Sequence, residues 1–400
     1  MRRPHGAAVP HKERMRTMNY RRLGKTGLMV SEIGFGAEWM ERHTAGECRA
    51  VLERAEELGI NILDCWMSNP EVRTSLGLAL AGRRERWHIQ GHIGSTWQDG
   101  QYVRTRDVDL CRAAFEDLLA RLQTDYIDLG MIHFVDTQAD WDGAMGGPFL
   151  DYVKQLKAQG TIRHIGMSTH NPAMAKKAVE CGLVEMILFS VNPAFDMHPA
   201  TDDLDAYFDW ETYQEHLGGI DPQRAQLYKL CEQHDVGITV MKPYAGGRLL
   251  DAERSPFGVA LTPVQCLHYC LTRPGVASVL AGYDTPGHVE QAVAYETATD
   301  DERDYAGVLA RAPRHTFGQG ECTYCGHCKP CPVNIDIAMV NKYYDLASMQ
   351  PDVPAAVAAH YLALEHHADE CIGCKACEGR CPFGVEIARR MEQAARLFHP

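Results

Sequence analysis

The chain has 400 residues, 45% of them apolar, and a net charge of -13 at pH 7. That is enough apolar material for one large core, or for a large domain with a small one beside it. The acidic balance, with no dense Lys/Arg run past the extreme N-terminus, argues against nucleic acid as a partner, and no run of ~18 apolar residues is present to span a membrane.

The first stretch, "MRRPHGAAVPHKERMRTM", is basic but has no apolar core of the kind a secretion signal needs. Residues 1–18 are expected to form a flexible extension. Fifteen cysteines without an export signal point to a reducing, cytoplasmic setting in which thiols serve as ligands. From Tyr20, "YRRLGKTGLMVSEIGFG" predicts a small hairpin turning at Gly24–Gly27. Eight short apolar runs then follow: "SEIGFG" (31–36), "INILD" (60–64), "WHIQGHIG" (87–94), "YIDLGMIHF" (126–134), "IRHIGMS" (162–168), "VEMILFSVN" (184–192), "GITVMK" (237–242) and "VASVLAG" (276–282). Segments of helical period separate them, such as "RAVLERAEEL" and "DLCRAAFEDLLARL". Eight such units over residues 19–298 define an α/β fold, a (β/α)8 TIM barrel. Loop-rich insertions at 135–148 and 193–221 follow strands and are expected at the catalytic mouth. Trp141, Trp210 and Tyr213 would either line a pocket there or pack the loops themselves. Residues 299–313 read as a connector. Residues 314–400 form a second, small, mainly helical domain, with helices expected around 334–349 and 353–367.

That second domain carries two cysteine motifs. Cys322, Cys325, Cys328 and Cys331 follow one another with two residues between each, and Pro332 comes next. Cys371, Cys374 and Cys377 repeat the spacing, and Cys381–Pro382 follows three residues later. Three closely spaced thiolates wrap one face of an iron–sulfur cube, and in two-cluster ferredoxins the Cys before Pro reaches the other cluster. Cys322, Cys325, Cys328 and Cys381 would therefore hold one [4Fe–4S] cluster, and Cys371, Cys374, Cys377 and Cys331 the other. A pair of four-cysteine zinc sites is the alternative, but zinc frames usually set two CxxC pairs further apart and have no use for a fourth Cys before Pro. The gap of about forty residues between the motifs is filled by helical pattern, as in helical, ferredoxin-like domains. The other seven cysteines are expected to be buried as small hydrophobes. Cys65 is set apart because it follows an active-site candidate.

The segments "YRRLGKTGLMVSEIGFG", "LLARLQTDYIDLGMIHF" and "IRHIGMSTHN" resemble the aldo-keto reductases, in the right order, over roughly residues 19–298. The tail resembles the subgroup with a C-terminal two-[4Fe–4S] ferredoxin-type domain. The resemblance implies carbonyl reduction by NADPH through an Asp, Tyr, Lys and His tetrad. Asp64 matches the Asp and His133 the His. The Tyr is missing, since that region offers only Ser68 or Asn69, and His92 stands at the Lys position. Asp64, His92 and His133 are thus the catalytic candidates, with His92 able to donate or accept a proton near neutral pH. Two His and a carboxylate also make a plausible open metal site, with His170 as a third ligand.

The implied cofactor pocket departs from the family as well. Ser168–Thr169 replaces the family's Ser–Asn pair, Asn192 matches the polar residue after strand 6, and Gly282 and Glu290 match positions after strand 8. No Lys or Arg stands near them to take a 2′-phosphate. Lys242, Gly246, Gly247 and Arg248 after strand 7, with the helix opening at Thr285–Pro286, supply the anion-binding equipment such barrels place in loops 7 and 8. NAD(P)H, a flavin mononucleotide or a phosphorylated substrate each suits it. The function expected is an oxidoreductase on a small carbonyl or hydroxyl substrate, with electrons passed singly through two clusters, from or to a ferredoxin or a partner subunit. The alternatives are an NAD(P)H-dependent reductase with structural clusters, and a non-catalytic electron-transfer subunit or redox sensor.

Overall fold

The computed structural model describes residues 18–199, 201, 203–208, 219–312, 320–348 and 352–398. The expected extension at residues 1–17 lies outside them, as do Trp210 and Tyr213. Eight parallel strands close a barrel in sequential order: β1 (Ile33–Gly36), β2 (Ile62–Cys65), β3 (His88–Ile93), β4 (Ile127–Ile132), β5 (Ile162–Thr169), β6 (Met186–Ser190), β7 (Gly237–Met241) and β8 (Val276–Gly282). Nearly every strand residue is buried, because helices cover the outside and side chains fill the inside. One cluster, including Leu23, Ile62, Leu129, Met131, Met186 and Leu188, fills the barrel interior. A larger one packs the strands against the surrounding helices.

The sequence marks where many helices begin. At Asn69–Pro70, Asn171–Pro172, Asp221–Pro222, Thr262–Pro263 and Thr285–Pro286, the first side chain accepts a hydrogen bond from the opening turn, and proline follows as the first helical residue. A cap relieves an unpaired N–H, and proline gives up only an N–H that had no partner.

The N-terminal hairpin, Tyr20–Arg22 paired with Met29–Ser31, plugs the end of the barrel where the strands start. Gly24, at φ +48°, lies so close that a Cβ there would stand 2.3 Å from the Gly237 nitrogen. One element was not expected. Between β3 and the helix Val108–Leu122, residues Ser95–Gln98 and Gln101–Arg104 pair as an antiparallel hairpin. The loop at 135–148 holds a capped helix, Gln138–Ala144, and Trp141 packs half-buried against the core. The connector region contains a helix, Tyr305–Ala310.

The C-terminal unit contains the helices Ile337–Ala347, Ala355–Leu362 and Ile387–Phe398, and no strand among its described residues. It docks where β7 and β8 begin. Gln233 donates to the Leu346 carbonyl at 3.1 Å, and Lys342 pairs with Glu232 at 3.1 Å. The Thr323 carbonyl accepts from Arg273 and from the Tyr305 hydroxyl. The catalytic mouth is at the other end. β8, with 7 residues, spans roughly 23 Å at ~3.3 Å per residue.

Candidate active site and cysteine cages

Side chains on a strand alternate, so Gln90 and His92 share the inner face of β3, and the register sets Asp64 beside Gln90. His133 follows β4 directly, its N–H donating to the Ile93 carbonyl at 3.1 Å. These positions converge. His92 Nε2 lies 2.9 Å from Asp64 Oδ1, and His92 Nδ1 lies 2.8 Å from His133 Nδ1. Gln90 donates to the same Asp64 oxygen at 2.8 Å and accepts from Thr239 of β7 at 2.8 Å, which ties the carboxylate across the barrel. Asp64, His92 and His133 are all buried.

The row ends on a phenol. Tyr102, on the hairpin, places its hydroxyl 2.6 Å from His133 Nε2. This adds a tyrosine that the sequence reading did not find. None stands at the family position, where Ser68 donates to the Thr96 carbonyl and Asn69 caps a helix, but a phenol arrives from another element. A signal for it exists. "WQDGQY" puts Asp99–Gly100 between two short strands, the strongest short-range hairpin pattern. Tyr102 is 36% exposed, so the row opens toward solvent there. Trp66 stacks parallel to the His133 ring at 6.2 Å and meets Tyr102 edge-on at 5.4 Å. Arg106 donates to the His133 and Phe134 carbonyls, and Phe134, at φ +52°, donates its N–H to Ser168 at 2.8 Å.

Proton positions follow from the partners. With Asp64 ionised, His92 Nε2–H donates to it. His92 Nδ1 then accepts from His133 Nδ1–H, and His133 Nε2 accepts from the Tyr102 hydroxyl. Burial, then the nearby His92, Arg106 and Arg104, hold the His133 pKa well below the usual imidazole range. Burial pushes the Tyr102 phenol up to about 12, against the pull of Arg104 and Arg106. His133 is therefore neutral and Tyr102 protonated near neutral pH.

The metal expectation is corrected here. The ring nitrogens of His92 face Asp64 and His133, those of His133 face His92 and Tyr102, and His170 Nδ1 is bonded to Asp136 at 2.8 Å. Among the described residues, at the barrel mouth and at the cysteine motifs alike, no group of three or more His, Cys, Asp or Glu is drawn together closely enough to hold a metal ion.

The expected cofactor residues are engaged within the protein. Ser168 accepts from the Phe134 N–H, and Thr169 donates to Asp136 at 2.9 Å. Asn192 donates to the Lys242 carbonyl at 2.9 Å and caps the helix Pro193–Met197. Lys242, Gly246 and Gly247 shape the turn after β7, all at positive φ, and Arg248 opens the next helical turn. Glu290 pairs with Arg54 at 2.8 Å on the outer surface. Gly282 lies beneath Trp39, where a Cβ would stand 2.2 Å from the indole. The same segment after β1 is held by His43 to Asp284 at 2.8 Å, and Arg42 lies over the Trp39 ring at 4.2 Å. Ser168 and Asn192 are hydrogen-bonded within the protein, Gly282 lies under Trp39, and Glu290 is on the outer surface. Two cations thus stand near the positions after β8, Arg42 over Trp39 and Arg54 at Glu290.

The cysteine motifs have the ligand number and spacing of two clusters. Cys331, Cys371, Cys374 and Cys377 line one cavity together with Ile335, Ile337 and Met391. Next to Cys381, Arg380 donates to the Cys328 carbonyl at 2.7 Å. Gly320 N–H donates to the Phe383 carbonyl at 2.6 Å, setting the chain that enters Cys322 beside the chain that leaves Cys381. Both motifs repeat one turn. The residue before the second cysteine (Tyr324, Gly373) and the residue after it (Gly326, Lys375) have positive φ. Such turns can aim successive N–H groups inward, as a nest for anionic sulfur. Of the other cysteines, Cys48, Cys65, Cys111, Cys231, Cys266 and Cys270 are buried, but Cys181 is exposed, against expectation. Burial pushes the Cys65 thiol up to about 12, so it is inert rather than nucleophilic.

A sequential parallel barrel with ionisable groups at its strand ends, joined to a two-motif cysteine domain, defines an oxidoreductase barrel with an iron–sulfur tail. The comparisons bear this out. The model of the Aldo/keto reductase family matches residues 32–260, more than half of the chain, and the chain belongs to that family. A 4Fe-4S dicluster domain matches residues 318–385. The uncharacterized oxidoreductase YqkF of Bacillus subtilis (strain 168) is 27% identical over 280 residues, 66% of this chain and 87% of its own. Protein tas of Escherichia coli (strain K12) is 28% identical over 179 residues, 38% of this chain and 52% of its own. The holo form of aldo-keto reductase AKR11C1 from Bacillus halodurans superposes with a TM-score of 0.57 at 25% identity, covering 76% of this chain and 99% of that one. Among the described residues, no helix is long and apolar enough to cross a membrane.

Proposed function

We propose that the enzyme acts on a small carbonyl or hydroxyl compound at the barrel mouth, with electrons relayed through two [4Fe–4S] clusters. The observation that carries this reading is the mouth itself. A hydrogen-bonded row of Asp64, His92 and His133, with His92 at the family's Lys position and no tyrosine at its Tyr position, keeps proton chemistry there. A cluster passes one electron at a time, so the cages are useful where electrons arrive or leave singly.

The cages and the mouth lie at opposite ends of the barrel, and a buried seam joins them. Thr323, between two cluster cysteines, contacts Arg273 and Tyr305. Tyr305 meets Tyr269 at 5.1 Å, Tyr269 donates to Asp196 at 2.7 Å, and Asp196 pairs with Arg224 at 3.1 Å. Arg224 reaches the His170 carbonyl at 3.4 Å, and the rings of His170, Phe134 and His133 follow at 5.2 and 6.1 Å. Outward, Cys374 is exposed, which suits exchange with a ferredoxin or partner subunit. Buried thiols and cluster ligands fit a reducing, cytoplasmic setting.

The test is anaerobic. The purified enzyme should show the broad visible absorbance of iron–sulfur centres, bleached by dithionite. If NADH or NADPH bleaches it as well, a hydride acceptor in the barrel feeds the clusters. Steady NADPH-driven aldehyde turnover without any bleaching would replace this reading with an NAD(P)H-dependent reductase whose clusters are structural. A tight complex with a catalytic partner and no turnover by the chain alone would replace it with an electron-transfer subunit.

A further inference from the structure

Tyr102 is the one member of the mouth row that reaches solvent. It belongs to the hairpin Ser95–Arg104, its hydroxyl lies 2.6 Å from His133 Nε2, and its ring is braced edge-on by Trp66. Behind it the contacts of 2.8 Å (His133 to His92) and 2.9 Å (His92 to Asp64) make an unbroken path to a buried carboxylate. We propose that Tyr102 is the catalytic residue that exchanges a proton with the substrate oxygen, and that His133, His92 and Asp64 are positioning residues that refill and empty it. This rests on the reading of a carbonyl or hydroxyl substrate at the mouth, and deepens it.

The row has two polarities, and the protons balance in both. With one added proton, His92 is an imidazolium beside Asp64, His133 Nδ1 accepts from it, and His133 Nε2–H points at the Tyr102 oxygen. The Tyr102 hydroxyl is then free to donate. In carbonyl reduction the carbon gains a hydrogen and two electrons, from a hydride donor of the reduced nicotinamide or flavin class or stepwise from reduced clusters with a solvent proton. The oxygen takes the Tyr102 proton, forming the O–H bond. Tyr102 takes the Nε2 proton of His133, His133 takes at Nδ1 the proton on His92 Nδ1, and His92 ends neutral. Without the added proton the His92–His133 and His133–Tyr102 bonds are reversed while His92 Nε2–H still donates to Asp64, and the row accepts a proton from an alcohol. Groups facing the row are Asp64 from β2, Arg104 and Arg106 from the hairpin and its exit, and the Asp136–His170 pair beyond β4 and β5. Burial, then His92 and the two arginines, disfavour charge on His133 itself, which makes it the neutral bridge.

The test uses the cluster-loaded full chain under anaerobic conditions. Benzaldehyde reduction and benzyl alcohol oxidation are followed by chromatography, with NADPH/NADP+ or viologen as the redox partner. Tyr102→Phe keeps the ring against Trp66 and should leave the cluster absorbance and melting temperature unchanged. Its kcat should fall by about 10²-fold or more, and a fall of no more than about threefold overturns the proposal while leaving the functional reading intact. In the wild type, reduction should decline and oxidation should rise as pH increases. His92→Gln should abolish that opposed pH dependence, and its persistence unchanged would remove the relay. If the wild type turns over neither compound, the substrate reading fails. The proposal is then decided by nitrogen-15 histidine NMR above neutral pH. His133 should be protonated at Nδ1 and bare at Nε2, with the Nε2 resonance moving in Tyr102→Phe; a resonance indifferent to Tyr102 overturns it.

Discussion

Replacing Cys331 with alanine separates the two cages, because Cys331 belongs by sequence to the first motif and by position to the second. It lines the cavity shared with Cys371, Cys374 and Cys377. The first motif keeps Cys322, Cys325 and Cys328, and its link to Cys381 runs through Arg380 and the Cys328 carbonyl at 2.7 Å, independent of the Cys331 side chain. Each cube needs four ligands, so the variant should fall from about eight irons per chain to about four. The location of the loss is more telling than its size. Brief alkylation with iodoacetamide, followed by peptide mass spectrometry, should find Cys371, Cys374 and Cys377 newly reactive. Cys322, Cys325, Cys328 and Cys381 should stay protected. Alkylation of the first set with protection of the second would refute the crossed assignment and leave each motif holding its own cluster.

Asp196 is fully buried and accepts hydrogen bonds from Arg224, Tyr228 and Tyr269. Asp196→Ala strands the Arg224 charge and should cost about 3–5 kcal/mol; thermal unfolding should drop by roughly 4–8 °C, with a smaller drop for Asp196→Asn, and an unchanged midpoint would deny that the carboxylate balances Arg224. His133 is held neutral in the fold, so below the ordinary imidazole pKa of ~6.5 the unfolded chain binds a proton that the folded chain refuses. Stability should therefore be full above about pH 6.5 and fall as the pH drops, by about 1.4 kcal/mol per unit from this group; a shallower acid limb in urea melts of His133→Gln would confirm the source. Gly282→Val would place a Cβ 2.2 Å from Trp39; the indole must move, at a cost of about 1–3 kcal/mol, and the tryptophan fluorescence should shift to the red.

The barrel and the cages were legible because both are written in short-range patterns. Alternating apolar runs and 3.6-residue periods need only neighbours to be read, and four cysteines in ten residues declare a ligand set through covalent spacing alone. Asp64, His92 and His133 were also within reach, since each ends or follows a recognisable strand and strand ends form the mouth. Tyr102 was not, although its Asp–Gly turn was in plain view. Local pattern announces a hairpin, but not that the hairpin folds over the mouth and brings its phenol to a histidine 31 residues away. The same holds for Asp64, fixed by Gln90 and through it by Thr239, 149 residues further on. Ser168, Asn192 and Gly282 have the residue types of a cofactor pocket, and only the tertiary structure shows the backbone groups and the Trp39 indole that they also meet. Which barrel end receives the cluster domain is likewise an outcome of long-range packing. Residue identity removes the usual Tyr and Lys from this chain, and contacts between distant segments then set a buried histidine pair behind a tyrosine from a hairpin.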